Sequence, residues 1–131
     1  MQGLMMHQQL MISDLLEHAD RNHGNQEIFT LETHGVPHRY TWADCAKRVR
    51  KLANALLAAG IKEGDRVATI AWNNYQHIEV YYAVSSIGAS VHTINPRLKP
   101  AQIAWHTQEI INAQADWMSA DDTRLLVRAN D

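Results

Sequence analysis

The chain has 131 residues, of which 46% are apolar and 20% charged, and a formal net charge of -2 with histidine neutral. That is the balance of a globular domain or of part of one, and a slightly acidic total without a basic block excludes the electrostatic footprint of a nucleic-acid binder. Cys45 is the only cysteine, which excludes an intramolecular disulfide and a cysteine-cluster zinc site.

Residues 1–16 are rich in apolar side chains but lack the basic segment and unbroken apolar core of a secretory signal. No run approaches the ~20 apolar residues of a membrane span. A cytoplasmic location is therefore expected. Ile12, Leu15, Leu16 and Ala19 recur at helical spacing, which predicts a short amphipathic helix with Ser13 as its cap and Gly24 as its stop. Glu27 to Thr33 reads as a strand, because Ile28, Phe29, Thr30 and Leu31 are mostly good β formers. The His34-Gly35-Val36-Pro37 turn returns the chain through a second strand from His38 to Thr41, making a hairpin.

The clearest helix runs from Trp42 to Ala59. Thr41 and Asp44 have capping-box spacing, the hydroxyl accepting from an orphan backbone N–H and the carboxylate reaching back. Trp42, Cys45, Val49, Leu52, Leu56 and Leu57 form its apolar stripe, and Gly60 is placed to close it in the left-handed conformation. A polar turn at 62–65 leads to a short strand, Arg66 to Ala71. A second helix from Tyr75 to Ile87, stopped by Gly88, leads to a strand from Ala89 to Ile94. Two short apolar strands joined by a helix predict a parallel, right-handed βαβ crossover. Asn95-Pro96 ends that strand, and Pro100 suits the first turn of a last helix, where its missing N–H is no loss. The expected fold class is α/β: a hairpin and a parallel βαβ unit with flanking helices.

Three stretches then stand out in order: Tyr40-Thr41-Trp42, residues 60–68 (Gly60 to Ala68) and residues 88–98 (Gly88 to Leu98). Together they resemble the start of the adenylate-forming, AMP-binding superfamily. With Pro100, Gln102, Ile103, Ala104 and Trp105, the wording is most similar to the bacterial medium- and long-chain fatty acyl-CoA synthetases. The resemblance covers residues 12–105 and identifies the chain, 1–131, as a partial N-terminal domain of such a ligase. Residues 106–131 depart from the family pattern, as in a truncated or frame-shifted product or a diverged one. Beyond Trp105 the expectation is helix or poor order, with no central strand, since 117–120 offers no apolar run suited to a buried one.

The resemblance implies a parent that joins a fatty acid to ATP, forms an acyl-adenylate and passes the acyl group to coenzyme A, with magnesium accompanying the nucleotide. The family's phosphate loop, adenine segment, ribose-binding aspartate and mobile lysine have no counterpart in these residues. The turn after the Arg66 strand, Trp72-Asn73-Asn74, contains no glycine to let backbone amides cradle a phosphate. No catalytic, cofactor-binding or metal-ligating residue is assigned, and no cofactor is expected for this chain by itself. Two readings follow. In one, the chain is a ligase fragment, inactive alone, whose parent uses fatty acid, ATP and CoA. In the other, it is a small non-catalytic binding or dimerisation module that reuses the scaffold and self-associates through sheet edges or apolar faces.

Other constellations have structural readings. Lys47, Arg48, Arg50 and Lys51 read as a solvated helix face, and Cys45 reads as a small hydrophobe. His34 and His38 flank the hairpin turn, but a metal site there lacks a third and fourth ligand. His77 and Glu79 fall on different helix faces and make no acid–base pair; Glu79 is expected at the surface and Tyr82 in the core. Trp72, Tyr75, Tyr81 and Tyr82 read as an aromatic cluster packed against the sheet near one strand end. Ser85 and Ser86 lack the strained elbow of a hydrolase nucleophile.

Overall fold

In the computed structural model, the described residues are His7, 9–32 and 35–115, with side chains as far as Glu109. The elements run α1 (Ile12–His23), β1 (Glu27–Leu31), β2 (Pro37–Thr41), α2 (Trp42–Ala58), β3 (Arg66–Ile70), α3 (Tyr75–Ser86), β4 (Ser90–Ile94) and α4 (Pro100–Ala115). The α/β class is as the sequence predicts.

Helix α1 starts one residue before the expected cap. Met11 stands at its N-cap without a side-chain hydrogen bond, and Ser13 lies inside the first turn. Gly24 ends it with right-handed dihedrals. A glycine is needed there because a Cβ would lie 2.5 Å from the Asp20 carbonyl oxygen.

β1 and β2 pair antiparallel, with Phe29 opposite Arg39. The strand is shorter than expected: Leu31 is its last residue, and Thr33 and His34 lie outside the described residues. The turn is closed by Glu32 N–H to Val36 C=O (3.0 Å) and Gly35 N–H to Glu32 C=O (2.8 Å).

Helix α2 carries the predicted capping box. Asp44 N–H donates to Thr41 Oγ1 (3.2 Å), and Asp44 Oδ2 accepts from the Thr41 backbone N–H (3.3 Å) and hydroxyl (2.8 Å). These bonds hold the Asp44 carboxyl below its ordinary pKa. The buried face of α2 is Cys45, Ala46, Val49 and Leu56. Leu57, expected in the stripe, is 51% exposed, because the helix turns it beyond the edge of the contact. Burying a side chain such as Val49 contributes about 1.5–3 kcal/mol. This face packs on α1 and α3 and, with Val67, Ala83, Val84 and Ala89, forms the main core.

β3 and β4 are parallel and in register from Arg66 opposite Ser90 to Ile70 opposite Ile94, joined by α3. Strand alternation splits their side chains between two layers. Val67 and Val91 join the core under α2 and α3, whereas Ala68, Ile70 and Ile94 pack with Leu98 and Ile103 under α4. Helix α4 begins at Pro100 as predicted and runs past Trp105 to Ala115. Residues 116–131, including the 117–120 stretch, lie outside the described residues.

Candidate functional site

The carboxyl ends of parallel strands are where open α/β folds form crevices, and here they open into a groove of about 990 Å³. Its walls come from three separate stretches of the chain, 28–31, 71–81 and 93–97. β1 supplies Phe29 and Leu31, the β3–α3 turn Trp72, helix α3 His77 and Tyr81, and the β4–α4 turn Arg97.

Local bonds fix the two turns at its mouth. Asn74 caps α3: its Oδ1 accepts from His77 N–H (3.0 Å) while its Nδ2 donates to Glu32 Oε2 (3.3 Å), tying the helix start to the end of β1. The His77 ring bridges Thr69 Oγ1 (3.1 Å, from Nε2) and Asn73 Oδ1 (3.4 Å, from Nδ1). Burial lowers its pKa, so the imidazole is held neutral. In the β4–α4 turn, Asn95 Oδ1 accepts from Arg97 N–H (2.9 Å), a local Asx-type bond. The Arg97 guanidinium then lies 5.1 Å from the Trp72 ring centroid, linking the two turns by a cation–π contact. The groove therefore combines apolar and aromatic walls with amides, a neutral imidazole and one guanidinium at its rim. It can seat an apolar body beside polar or anionic groups.

A second polar group lies inside the molecule. Glu79, expected at the surface, is buried, with only 6% of its side chain accessible. Arg48 binds it through both carboxylate oxygens, Nε to Oε1 at 2.7 Å and a terminal nitrogen to Oε2 at 3.1 Å. Arg48 also lies 5.6 Å from the Tyr75 ring centroid, and Tyr75 stacks on His38 at 3.6 Å. Burial pushes the Tyr40 hydroxyl and the Cys45 thiol upward, with each other and Glu79 as further neighbours. Cys45 is fully buried, which suits the hydrophobe read from sequence.

The expected aromatic cluster is divided between these two places. Trp72 and Tyr81 line the groove, Tyr75 joins the His38 stack, and Tyr82 packs against the core as expected. The four basic residues of α2 are exposed, but Arg48 and Arg50 are engaged, Arg50 with Asp20 at 2.7 Å. Ser86 donates to the Tyr82 carbonyl (2.6 Å). His34 lies outside the described residues, and so does its placement relative to His38 across the turn. Among the described residues, no group of three or more His, Cys, Asp or Glu side chains is placed to hold a metal ion. No helix among them is long and apolar enough to cross a membrane.

The groove itself was not visible in sequence, because its walls converge from segments far apart in the chain. The turn residues Trp72 to Asn74 and Asn95-Pro96 were the available signal.

Comparison with known proteins gives a consistent result. The AMP-binding enzyme family model matches residues 16–110. The chain is 49% identical over 129 residues to a medium-chain-fatty-acid–CoA ligase of Ectopseudomonas oleovorans, covering 98% of this chain and 23% of that one. It is 46% identical over 116 residues to a 3-methylmercaptopropionyl-CoA ligase of Ruegeria lacuscaerulensis (88% and 21%). It is 40% identical over 122 residues to a long-chain-fatty-acid–CoA ligase of Thermus thermophilus (93% and 22%). The chain thus spans about a fifth of the length of these relatives. The structure of acetoacetyl-CoA synthetase from Streptomyces lividans shares the fold, with a TM-score of 0.68 at 22% identity over 77% of this chain and 16% of that one.

Proposed function

The chain belongs to the AMP-binding enzyme family, and from that premise we propose that it forms part of the large N-terminal domain of a fatty acyl-CoA ligase. The activity belongs to the ligase as a whole: ATP-dependent formation of an acyl-adenylate, then transfer of the acyl group to the thiol of CoA. What carries the reading is the match to a medium-chain ligase along nearly the whole chain. In this reading residues 12–105 supply the scaffold and 106–131 are the more divergent stretch; the family match ends at residue 110, although the match to the medium-chain ligase continues through most of the tail. A cytoplasmic location goes with this reading.

The described residues do not fit a magnesium nucleotide by themselves. Binding a triphosphate needs several converging donors and a metal held by oxygen ligands. The groove offers one guanidinium, Arg97, and the Ala71–Asn74 turn has no glycine that would let backbone amides converge. No step of the reaction is therefore routed through these side chains, and the chain is expected to be inactive alone.

Pyrophosphate exchange with fatty acids of graded length, beside calorimetry with ATP and magnesium, tests this. The expected result is no exchange above background and no saturable heat. Exchange that tracks the pure chain and is lost on changing Arg97 or His77 would overturn it.

A further inference from the structure

The turn between β3 and α3 has no glycine and no left-handed residue, and among the described residues no backbone hydrogen bond spans it. Side chains fix it instead, with His77 at their centre. Its Nε2 meets Thr69 Oγ1 at 3.1 Å and its Nδ1 meets Asn73 Oδ1 at 3.4 Å, so one imidazole ties the end of β3 to the middle of the turn. The His77 backbone N–H donates to Asn74 Oδ1 at 3.0 Å, and Asn74 Nδ2 reaches Glu32 Oε2 at 3.3 Å. The turn carries Trp72, 38% exposed, against the Arg97 guanidinium at the rim of the groove.

This bridge requires a neutral ring. Asn73 Oδ1 accepts, so Nδ1 carries the ring proton and Nε2 accepts from the Thr69 hydroxyl. A second proton, at Nε2, leaves two N–H donors and no acceptor, and the Thr69 hydroxyl hydrogen loses its partner. The surroundings add to the cost. His77 is half-buried and is the third residue of α3, where the helix amides present the positive end of the dipole. Arg97 lines the same groove. From the other elements, β3 and β4 present the uncharged Thr69 and Thr93, and Tyr81 presents a phenol one turn along α3. Glu32, at the end of β1, is joined to Asn74 and not to the ring. Burial lowers the His77 pKa in this closed arrangement, whereas a solvated imidazole titrates at about 6.5. The closed arrangement is therefore favoured above that value and opposed as pH falls below it.

We propose that His77 is a pH-sensitive latch on the 71–74 turn: a proton taken from solvent at Nε2 breaks the bridge to Thr69, and the turn carries Trp72 away from Arg97, opening the rim of the groove. Among the described residues, the two apolar clusters are built without residues 71–74. The turn can therefore open as a local unit while the sheet and helices stay folded. The latch needs only the groove and is independent of the ligase reading.

The test follows the isotope-labelled full chain by NMR from about pH 7.5 to about pH 5, the range in which imidazoles titrate. The Trp72 indole signal, identified by its loss in Trp72→Phe, is expected to shift along the same curve as the His77 ring, while the amides of the core residues Val49 and Val84 stay in place. His77→Gln should abolish the Trp72 shift. His92→Gln, which removes another imidazole of lowered pKa, should leave it. Thr69→Val removes the hydroxyl that donates to the neutral ring and should move the midpoint to higher pH, which keeps the latch testable even if His77→Gln does not fold. Three results would overturn the proposal: a Trp72 signal that ignores the His77 titration, one that still shifts in His77→Gln, or a Thr69→Val midpoint equal to that of wild type. Core amides that shift together with Trp72 would also overturn it, because the transition would then be global unfolding and not a local opening.

Discussion

Arg48 and Glu79 lie 31 positions apart and meet through two hydrogen bonds that join α2 to α3 across the core. The carboxylate is buried, with 6% of its side chain accessible, while the guanidinium is half exposed at 49%. The pair is therefore asymmetric: Arg48 can turn to water if Glu79 is lost, but Glu79 cannot if Arg48 is lost.

The asymmetry predicts that Arg48→Ala destabilises the chain more than Glu79→Gln. Removing one partner of a buried pair typically costs about 3–5 kcal/mol, and the exposure of Arg48 reduces this to about 2–3 kcal/mol here. Combining Arg48→Met with Glu79→Leu should restore most of the loss, because no charge is then left buried. Urea unfolding of the three variants checks the order. An Arg48→Ala cost within about 0.5 kcal/mol of wild type, the usual range of surface substitutions, would contradict it.

At the start of α2, Thr41→Ala removes an acceptor for an orphan amide and should cost about 1 kcal/mol. The effect has a pH signature through Asp44, whose folded pKa lies below its unfolded value. Its contribution is present above the unfolded pKa, about 3.9, and is lost as pH falls through the lower folded value. Thr41→Ala removes the hydroxyl bond to Asp44, the first cause of the shift, so the wild-type and variant stability curves should converge in acid. Parallel curves from pH 7 to pH 2 would refute this coupling.

This helix was also the most legible part of the sequence, because its signals are local. The capping box spans three positions, and Gly60 reaches a φ of 89° to close the end. The βαβ unit was equally readable from strand length and spacing. Glu79 was not. A charged residue within an apolar stretch defaults to solvent, and only a cation 31 positions away makes its burial tolerable. Leu57 was misplaced for a related reason: residue type marks a stripe, but the width of the neighbouring contact decides which edge of it is covered, and here Ala46 is buried while Leu57 is exposed. The groove depends on three separated stretches, 28–31, 71–81 and 93–97, so no window of sequence could reveal it.

His77 gives a prediction at milder pH. Burial keeps its imidazole neutral and lowers its folded pKa, while the unfolded value is about 6.5. Below that value the unfolded chain takes up a proton that the folded chain refuses, so stability falls as pH drops from about 6.5. His77→Gln should flatten this slope and retain a polar contact to Thr69 or Asn73. His92, whose pKa is also lowered, mainly by burial and then by Arg66 and His106, should keep part of the slope in the variant. Thermal midpoints from pH 7.5 to pH 5 provide the measurement. An unchanged slope in His77→Gln would show that the ring does not titrate as its surroundings require.

Gly64 and Gly88 offer a controlled comparison of backbone strain and steric contact. Both are left-handed, with φ of 86° and 76°, and Gly64 N–H donates to the Gly88 carbonyl at 2.9 Å. A side chain in this conformation costs about 1–2 kcal/mol, so alanine at either position should destabilise the chain. The surroundings differ. A Cβ at Gly64 meets nothing within 4 Å, whereas one at Gly88 would lie 2.9 Å from Glu63 Cγ and 3.4 Å from Glu63 Cβ. Gly88→Ala should therefore cost more than Gly64→Ala, by up to about 1 kcal/mol if Glu63 must leave its rotamer. The excess should shrink in a Glu63→Ala background, where the Cγ is gone, while the shared conformational cost remains. Chemical unfolding of the single and double variants separates the terms. Equal costs for the two glycines would mean that Glu63 moves aside freely, and a larger excess in the Glu63→Ala background would show that the contact is misassigned.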